Sequence, residues 1–209
     1  MSVINRLATT LGRRDDVPNR ELARELAETK AVEDIRELVA NLQNRDRKIQ
    51  SDCIKVLYEV GYIAPELIAE YAEDFLALLR SRNNRLVWGG MSALAAIAKL
   101  SASTLFDHWE EIREAIEKGS VITVDRGIKA LSIVAAQRTE YGAVIFPYLL
   151  THLGRCRPKD VSRDAEAILV AVNSGNKKEF VAVINARMGD MRPAQVKRLK
   201  KVLAVAEKR

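Results

Sequence analysis

Apolar residues recur along this chain at two periods at once. Locally they fall at i, i+3 and i+4, the spacing of one helix face. Over longer stretches the same apolar pair returns about every 37 residues: Leu38 and Leu42, Phe75 and Leu79, Ile112 and Ile116, Leu149 and Leu153, then Ile184 and Met188 after a step of 35. A second ladder runs between these rungs through Leu57, Leu94, Leu131, Leu169 and Leu203, followed three or four residues later by Val60, Ile97, Val134, Val172 and Ala206. Each unit thus predicts two amphipathic helices, A then B. The A helices are expected over residues 31–43, 66–80, 104–118, 140–154 and 177–188, and the B helices over 48–61, 85–99, 122–137, 160–173 and 193–207. Polar turns separate them, such as Asn44-Arg45-Asp46 and Arg157-Pro158-Lys159.

Residues 2–11 and 20–30 predict a further, less regular pair, divided by Gly12-Arg13-Arg14-Asp15-Asp16-Val17-Pro18, with Asn19 as its N-cap. Val121-Ile122-Thr123-Val124 is β-prone, yet the ladder makes it the start of a B helix. A single pair cannot bury its apolar face alone, so stacked pairs share a core. The expectation is one all-α domain over 1–209: an irregular pair over 1–30 and five repeats over 31–207, wound as a right-handed α-α superhelix of about six helix pairs. Cys53, Gly90, Gly127 and Ala165 share one column, four residues before ladder leucines, where a small side chain lets helices approach. Cys53 then reads as a small buried hydrophobe.

Composition agrees with helices. Aromatic residues are 5% of the 209, and there are 10 glycines and 5 prolines. Two cysteines without metal-ligand spacing exclude a disulfide framework and a zinc ribbon. No apolar run reaches membrane-span length, and the first residues form no signal peptide, which points to the cytoplasm. The net charge of +6 is uneven: residues 155–209 hold 14 Lys and Arg against 6 Asp and Glu, whereas the preceding residues carry a net −2. Such asymmetry is the mark either of a polyanion site or of a solvated terminal helix.

Phe146-Pro147-Tyr148-Leu149-Leu150, followed by Leu153, Val161, Ala165 and Leu169, resembles the HEAT repeat: a proline-bent first helix, a short turn and an alanine-leucine second helix. The resemblance extends over about residues 31–207. Asp46 and Asn83 match the family's turn aspartate, but its arginine column reads Gln50, Val87, Val124, Ser162 and Val196 here. It implies a divergent HEAT-like, armadillo-like solenoid whose B helices line the concave surface. Such a scaffold hosts many activities.

On that register three B-helix columns face solvent. They read Ser51, Trp88, Asp125, Arg163, Lys197; Asp52, Gly89, Arg126, Asp164, Arg198; and Lys55, Ser92, Lys129, Ala167, Lys201. Trp88 is either an interface anchor or a packing residue accommodated by Gly89 and Gly90. With Asp125, Arg126, Lys129 and Arg163 it marks a partner-binding surface. Lys197, Arg198 and Lys201 mark a polyanion surface. The outer faces of the A helices are acidic, from Glu66 to Asp74 and from Asp107 to Glu117, and read as solvated.

Catalytic constellations are thin. His108 and His152 share no repeat column, and no His, Cys and carboxylate set has ligand spacing in sequence. Trp88-Gly89-Gly90-Met91 lies within a helix and is no phosphate loop. No catalytic residue, metal or cofactor is therefore assigned. The expected function is a non-catalytic protein-interaction scaffold or adaptor, with protein as partner and no membrane. A nucleic-acid-binding solenoid is the alternative. A third reading is an alkylpurine DNA glycosylase, a family whose HEAT-like scaffold carries aromatic, acidic and basic residues as Trp88, Asp125 and Arg163 would here.

Overall fold

The computed structural model describes residues 2–209, apart from the side chain of Asp190. Twelve α-helices and six short 3-10 turns make up its regular structure, with no strand among the described residues. The helices are α1 (Val17–Thr29), α2 (Val32–Ala40), α3 (Arg47–Ile63), α4 (Ala72–Leu78), α5 (Asn84–Ile97), α6 (Ala102–Asp107), α7 (Trp109–Lys118), α8 (Val121–Ala135), α9 (Thr139–Arg155), α10 (Val161–Ile168), α11 (Lys177–Arg187) and α12 (Pro193–Ala206). The five predicted B helices are α3, α5, α8, α10 and α12. The A positions are less regular: residues 65–78 form two 3-10 turns before α4, and 102–118 break into α6 and α7 at His108. The β-prone run at Val121 does open a helix, with Val121 and Ile122 exposed.

The chain resolves into two compact units, Met1–Gly127 and Ile128–Arg209, with the boundary inside α8. In the first, α1, α3 and α5 lie side by side, with α2 against α3 and α4 against α5. In the second, α9 packs on α10 and α11, and α12 on α10 and α11. The A ladder is the core it predicted through Leu38, Phe75, Ile112, Leu149 and Ile184, all 0% exposed, but its last member, Met188, is only half-buried. The B ladder holds through Leu57, Leu94 and Leu131. It then slips, since Leu169 and Leu203 are only half-buried and Ile168 and Val202 take the buried positions. A slip of one residue turns a helix by about 100°, and α10 already ends at Ile168, where a 3-10 turn starts.

The turns explain where helices begin. Asp46 Oδ1 accepts the Lys48 N–H at 2.7 Å and Asn83 Oδ1 accepts the Arg85 N–H at 3.0 Å, so the turn positions of α3 and α5 are side-chain N-caps. The small-residue column also has its predicted cause. A Cβ on Gly90 would lie 2.9 Å from the Phe75 carbonyl oxygen, and one on Gly127 would lie 2.4 Å from Ile116 Cγ1. Cys53 is fully buried, and burial pushes its thiol up to about 12.

The N-terminal pair departs from expectation. Only Val3–Arg6 forms a 3-10 turn in its first half, followed by bends and turns. Asn19 is not an N-cap: α1 begins at Val17, and Asn19 sits 1% exposed with its Oδ1 accepting the Ala8 N–H at 2.9 Å. A turn without repeating helical hydrogen bonds leaves Ala8 an unpaired donor, and the buried amide satisfies it.

Candidate functional site

The B helices of Met1–Gly127 present an aromatic and cationic cluster. Lys55, Tyr58 and Tyr62 follow one line of α3 at i, i+3 and i+7, and Trp88 faces them from α5. The Tyr58 ring lies 5.6 Å from Tyr62 and 5.8 Å from Trp88, both tilted. Lys55 Nζ sits 4.9 Å over the Tyr58 ring, and the Arg126 guanidinium, from α8, 5.6 Å over Tyr62. Tyr58 is buried, Trp88 half-buried and Tyr62 44% exposed, so the cluster grades from core to solvent. Gly89 makes this possible, because a Cβ there would meet Ile54 of α3 at 2.8 Å.

The polar groups around the rings are arranged by charge. Burial would depress the Lys55 ammonium, but Glu59 at 2.6 Å, Tyr58 and Asp16 at 3.1 Å hold its pKa above the usual lysine value. Lys55 in turn holds the Asp16 carboxyl below its ordinary range. Burial raises the Tyr58 hydroxyl. Arg126 Nε is buried without a hydrogen-bond partner, with Asp125 Oδ2 at 3.8 Å.

Beside the cluster, past Lys55, opens a groove of about 880 Å³ at the N-terminal ends of α1, α3 and α5. Arg13, Arg14, Arg47, Lys48, Lys55, Arg82 and Arg85 line it, against Asp15, Asp16 and Asp52. All three carboxylates are engaged: Asp15 with Arg13, Asp16 with Lys55 and Arg20, and Asp52 with the Thr9 N–H. Arg14, Arg47, Lys48, Arg82 and Arg85 are exposed and have no ion pair among the described residues. The helix termini add partial positive charge to the same space.

The residues marked by sequence distribute unevenly. Trp88, Asp125 and Arg126 belong to the first unit, and only Arg126 joins Trp88 in the aromatic cluster. Lys129 is exposed on the part of α8 that belongs to the second. Arg163 does not face outward alone: its Nε and Nη2 donate to Asp164 Oδ1 at 3.0 and 2.9 Å, and Asp160 lies at 3.3 Å. Several positions expected at the solvent face are buried instead, namely Ser51, Gly89, Ser92 and Asp164. In the first unit α3 packs on α1 on one side and on α5 on the other, which leaves it a narrower exposed strip than three columns.

Asp164 is the sharpest of these corrections. Its side chain is 2% exposed and its Oδ2 meets His152 Nε2 at 2.9 Å. Burial opposes its charge, yet His152 and Arg163 keep its pKa below the usual carboxylate range. At the basic end, Lys197 and Lys201 are exposed, while Arg198 forms a two-pronged ion pair with Glu166. Other cations there serve the fold. Arg187 caps the carbonyls of Leu153 and Cys156 at 2.8 and 2.7 Å, and Arg209 reaches the Leu169 carbonyl at 2.7 Å. No helix among the described residues is long and apolar enough to cross a membrane.

No known protein-family pattern and no curated protein matches the sequence. Solved structures do. A designed armadillo repeat protein in complex with the peptide (KR)4 aligns at a TM-score of 0.70 with 14% identity, over 98% of this chain and 100% of that one. An engineered protein aligns at 0.68 with 19% identity, over 100% of this chain and 98% of its own. Kap121p bound to Nup53p aligns at 0.68 with 10% identity, over 99% of this chain and 23% of that one. These likenesses span nearly the whole chain at low identity, as expected when a repeat pattern persists while its surface residues change. The chain has the all-α helical-repeat fold of the HEAT and armadillo kind, in a divergent form.

Proposed function

We propose that this chain is a non-catalytic protein-interaction module whose B-helix face in Met1–Gly127 takes an extended, acidic segment of a partner. The reading rests on the Lys55–Tyr58–Trp88–Tyr62–Arg126 cluster at the rim of the basic groove. Half-exposed aromatic rings held by neighbours cost little entropy to use and supply the apolar area that anchors a partner side chain. The groove next to them has seven cations against three carboxylates, each already engaged, so it favours carboxylates on the incoming chain. The designed repeat protein that this chain resembles in fold binds (KR)4; the charge of this groove predicts the opposite preference.

Fluorescence anisotropy with labelled extended peptides tests the reading. A peptide with acidic residues flanking one aromatic residue is expected to bind, and a (KR)4 peptide is not. Trp88→Ala and Tyr62→Ala should each weaken the first complex by about 10-fold or more. Equal affinity for both peptides, or none for the acidic one, refutes the proposal.

A second reading is favoured by the same unpaired cations and by exposed Lys197 and Lys201: binding to nucleic acid phosphates. It requires affinity that falls steeply with salt for any sequence, whereas the aromatic anchor gives a peptide complex a salt-independent part.

A further inference from the structure

One cluster in Ile128–Arg209 is used by neither reading. His152 and Cys156 stand one turn apart on α9, Cys156 being its C-cap, and Asp164 comes from α10. A ring nitrogen of His152, Cys156 Sγ and an Asp164 carboxylate oxygen all lie within 4.8 Å of one another. We infer that these three side chains form a zinc site, with a fourth position open to water or a partner ligand.

The ligand chemistry selects the ion. One imidazole nitrogen, one thiolate sulfur and one carboxylate oxygen suit zinc and exclude magnesium and calcium, which take oxygen alone. Tetrahedral zinc at ordinary bond lengths places its ligand atoms about 3.3 to 3.7 Å apart. His152 and Asp164 are already at 2.9 Å, so binding asks only that they part slightly and that Cys156 turn inward. Cys156 is partly exposed, and its Sγ makes a 3.6 Å contact to the Leu153 carbonyl with Asp164 and Arg187 also within reach. That contact is weak enough to give up.

The surroundings are built as supports and not as competitors. Arg163 holds Asp164 through Oδ1, which leaves Oδ2 facing His152. Arg187 donates to the main-chain carbonyls of Leu153 and Cys156, and its charge beside the sulfur favours the thiolate. Asp160 and Arg157 lie outside this pair, Asp160 between the two guanidiniums of Arg157 and Arg163. Second-layer contacts of this sort orient ligands and set their charge. Desolvation pushes the Cys156 thiol up to about 11, with Asp164 adding to the rise and Arg187 opposing it. On binding, zinc takes the thiolate in place of its proton, which leaves to solvent.

The test uses the full chain, free of tags and stripped of metal, titrated with Co²⁺ alone and then with Zn²⁺. The expected result is one cobalt per chain, with tetrahedral d–d bands and a thiolate-to-cobalt charge-transfer band that zinc abolishes. Cys156→Ser should lose the charge-transfer band, and His152→Gln should weaken binding about 100-fold or more. Cys53→Ala should behave as the parent, since Cys53 is buried in the other unit. A parent protein without a saturable charge-transfer band overturns the inference, whatever the variants do. So does a band that survives unchanged in Cys156→Ser.

Discussion

Replacing Gly90 with alanine tests the packing logic of the repeat more sharply than deleting a core leucine. Alanine is the better helix former by about 1 kcal/mol, so propensity alone predicts a gain. The structure predicts no gain. The new Cβ would sit 2.9 Å from the Phe75 carbonyl oxygen and 3.0 Å from Leu78 Cβ. The oxygen belongs to the backbone of α4 and cannot swing away, so α4 and α5 must part. Overpacking of this kind costs about 1–3 kcal/mol, so after the propensity gain the net result is anything from no gain to a loss of about 2 kcal/mol. Gly154→Ala supplies the control. It lies in α9 with nothing within 4 Å of the added atom, and should gain about 0.5–1 kcal/mol. Urea unfolding followed by far-UV circular dichroism compares the midpoints. A Gly90→Ala protein that gains stability as Gly154→Ala does refutes close helix approach as the reason for this column.

Further outcomes follow from single residues. Asp164→Asn should destabilise by about 3 kcal/mol at neutral pH, because it breaks a buried charged network. The folded pKa of Asp164 is depressed, so its contribution is full above about pH 3.9 and fades as pH falls through the folded value; the gap between parent and variant in unfolding free energy should close there. Lys30 caps α1 with φ 53, and Lys30→Gly should raise stability by about 0.5–1 kcal/mol in the same urea assay. Trp88→Ala should cost about 2 kcal/mol, below the 3–5 typical of a fully buried aromatic, because Trp88 is half-buried against Tyr58. Changing Lys197, Arg198 and Lys201 together to glutamine should shift stability by less than about 1 kcal/mol, since the pair lost among the described residues is the exposed one with Glu166.

The helices were legible because burial repeats with the chain. Leu38, Phe75, Ile112, Leu149 and Ile184 each return to the same core position, and a period in sequence is then a period in space. Leu169 and Leu203 mark where that inference stops: α10 gives way to a 3-10 turn at Leu169, and inside α12 Val202 takes the buried position in place of Leu203. Asn19 misled because an amide before a helical stretch has two uses, capping its own helix or satisfying a distant donor, and only the position of Ala8 decides. Trp88 stands out in sequence on a polar column, whereas Tyr58 and Tyr62 join it only because the fold sets Trp88 of α5 and Arg126 of α8 against them. The groove cations were invisible for a different reason. Arg13, Arg47 and Arg82 lie at three turns far apart in sequence, and the folded chain brings those turns to one side. Asp164 looked solvent-facing on the HEAT-like register; burial among His152, Arg163 and the neighbouring helices could be read only in three dimensions.

The most direct measurement of the proposed interaction face is a charge exchange between protein and peptide. Arg47, Arg82 and Arg85 are exposed, line the groove and have no ion pair among the described residues, so Arg47→Glu, Arg82→Glu and Arg85→Glu together should leave the fold intact. Calorimetric titration of the parent and the triple variant with an acidic peptide carrying one aromatic residue, and with its lysine-substituted counterpart, reads the result. The account predicts that the parent prefers the acidic peptide and the variant the basic one, with Trp88→Ala weakening both. A preference unchanged by the triple substitution, in a protein whose circular dichroism matches the parent, would contradict it.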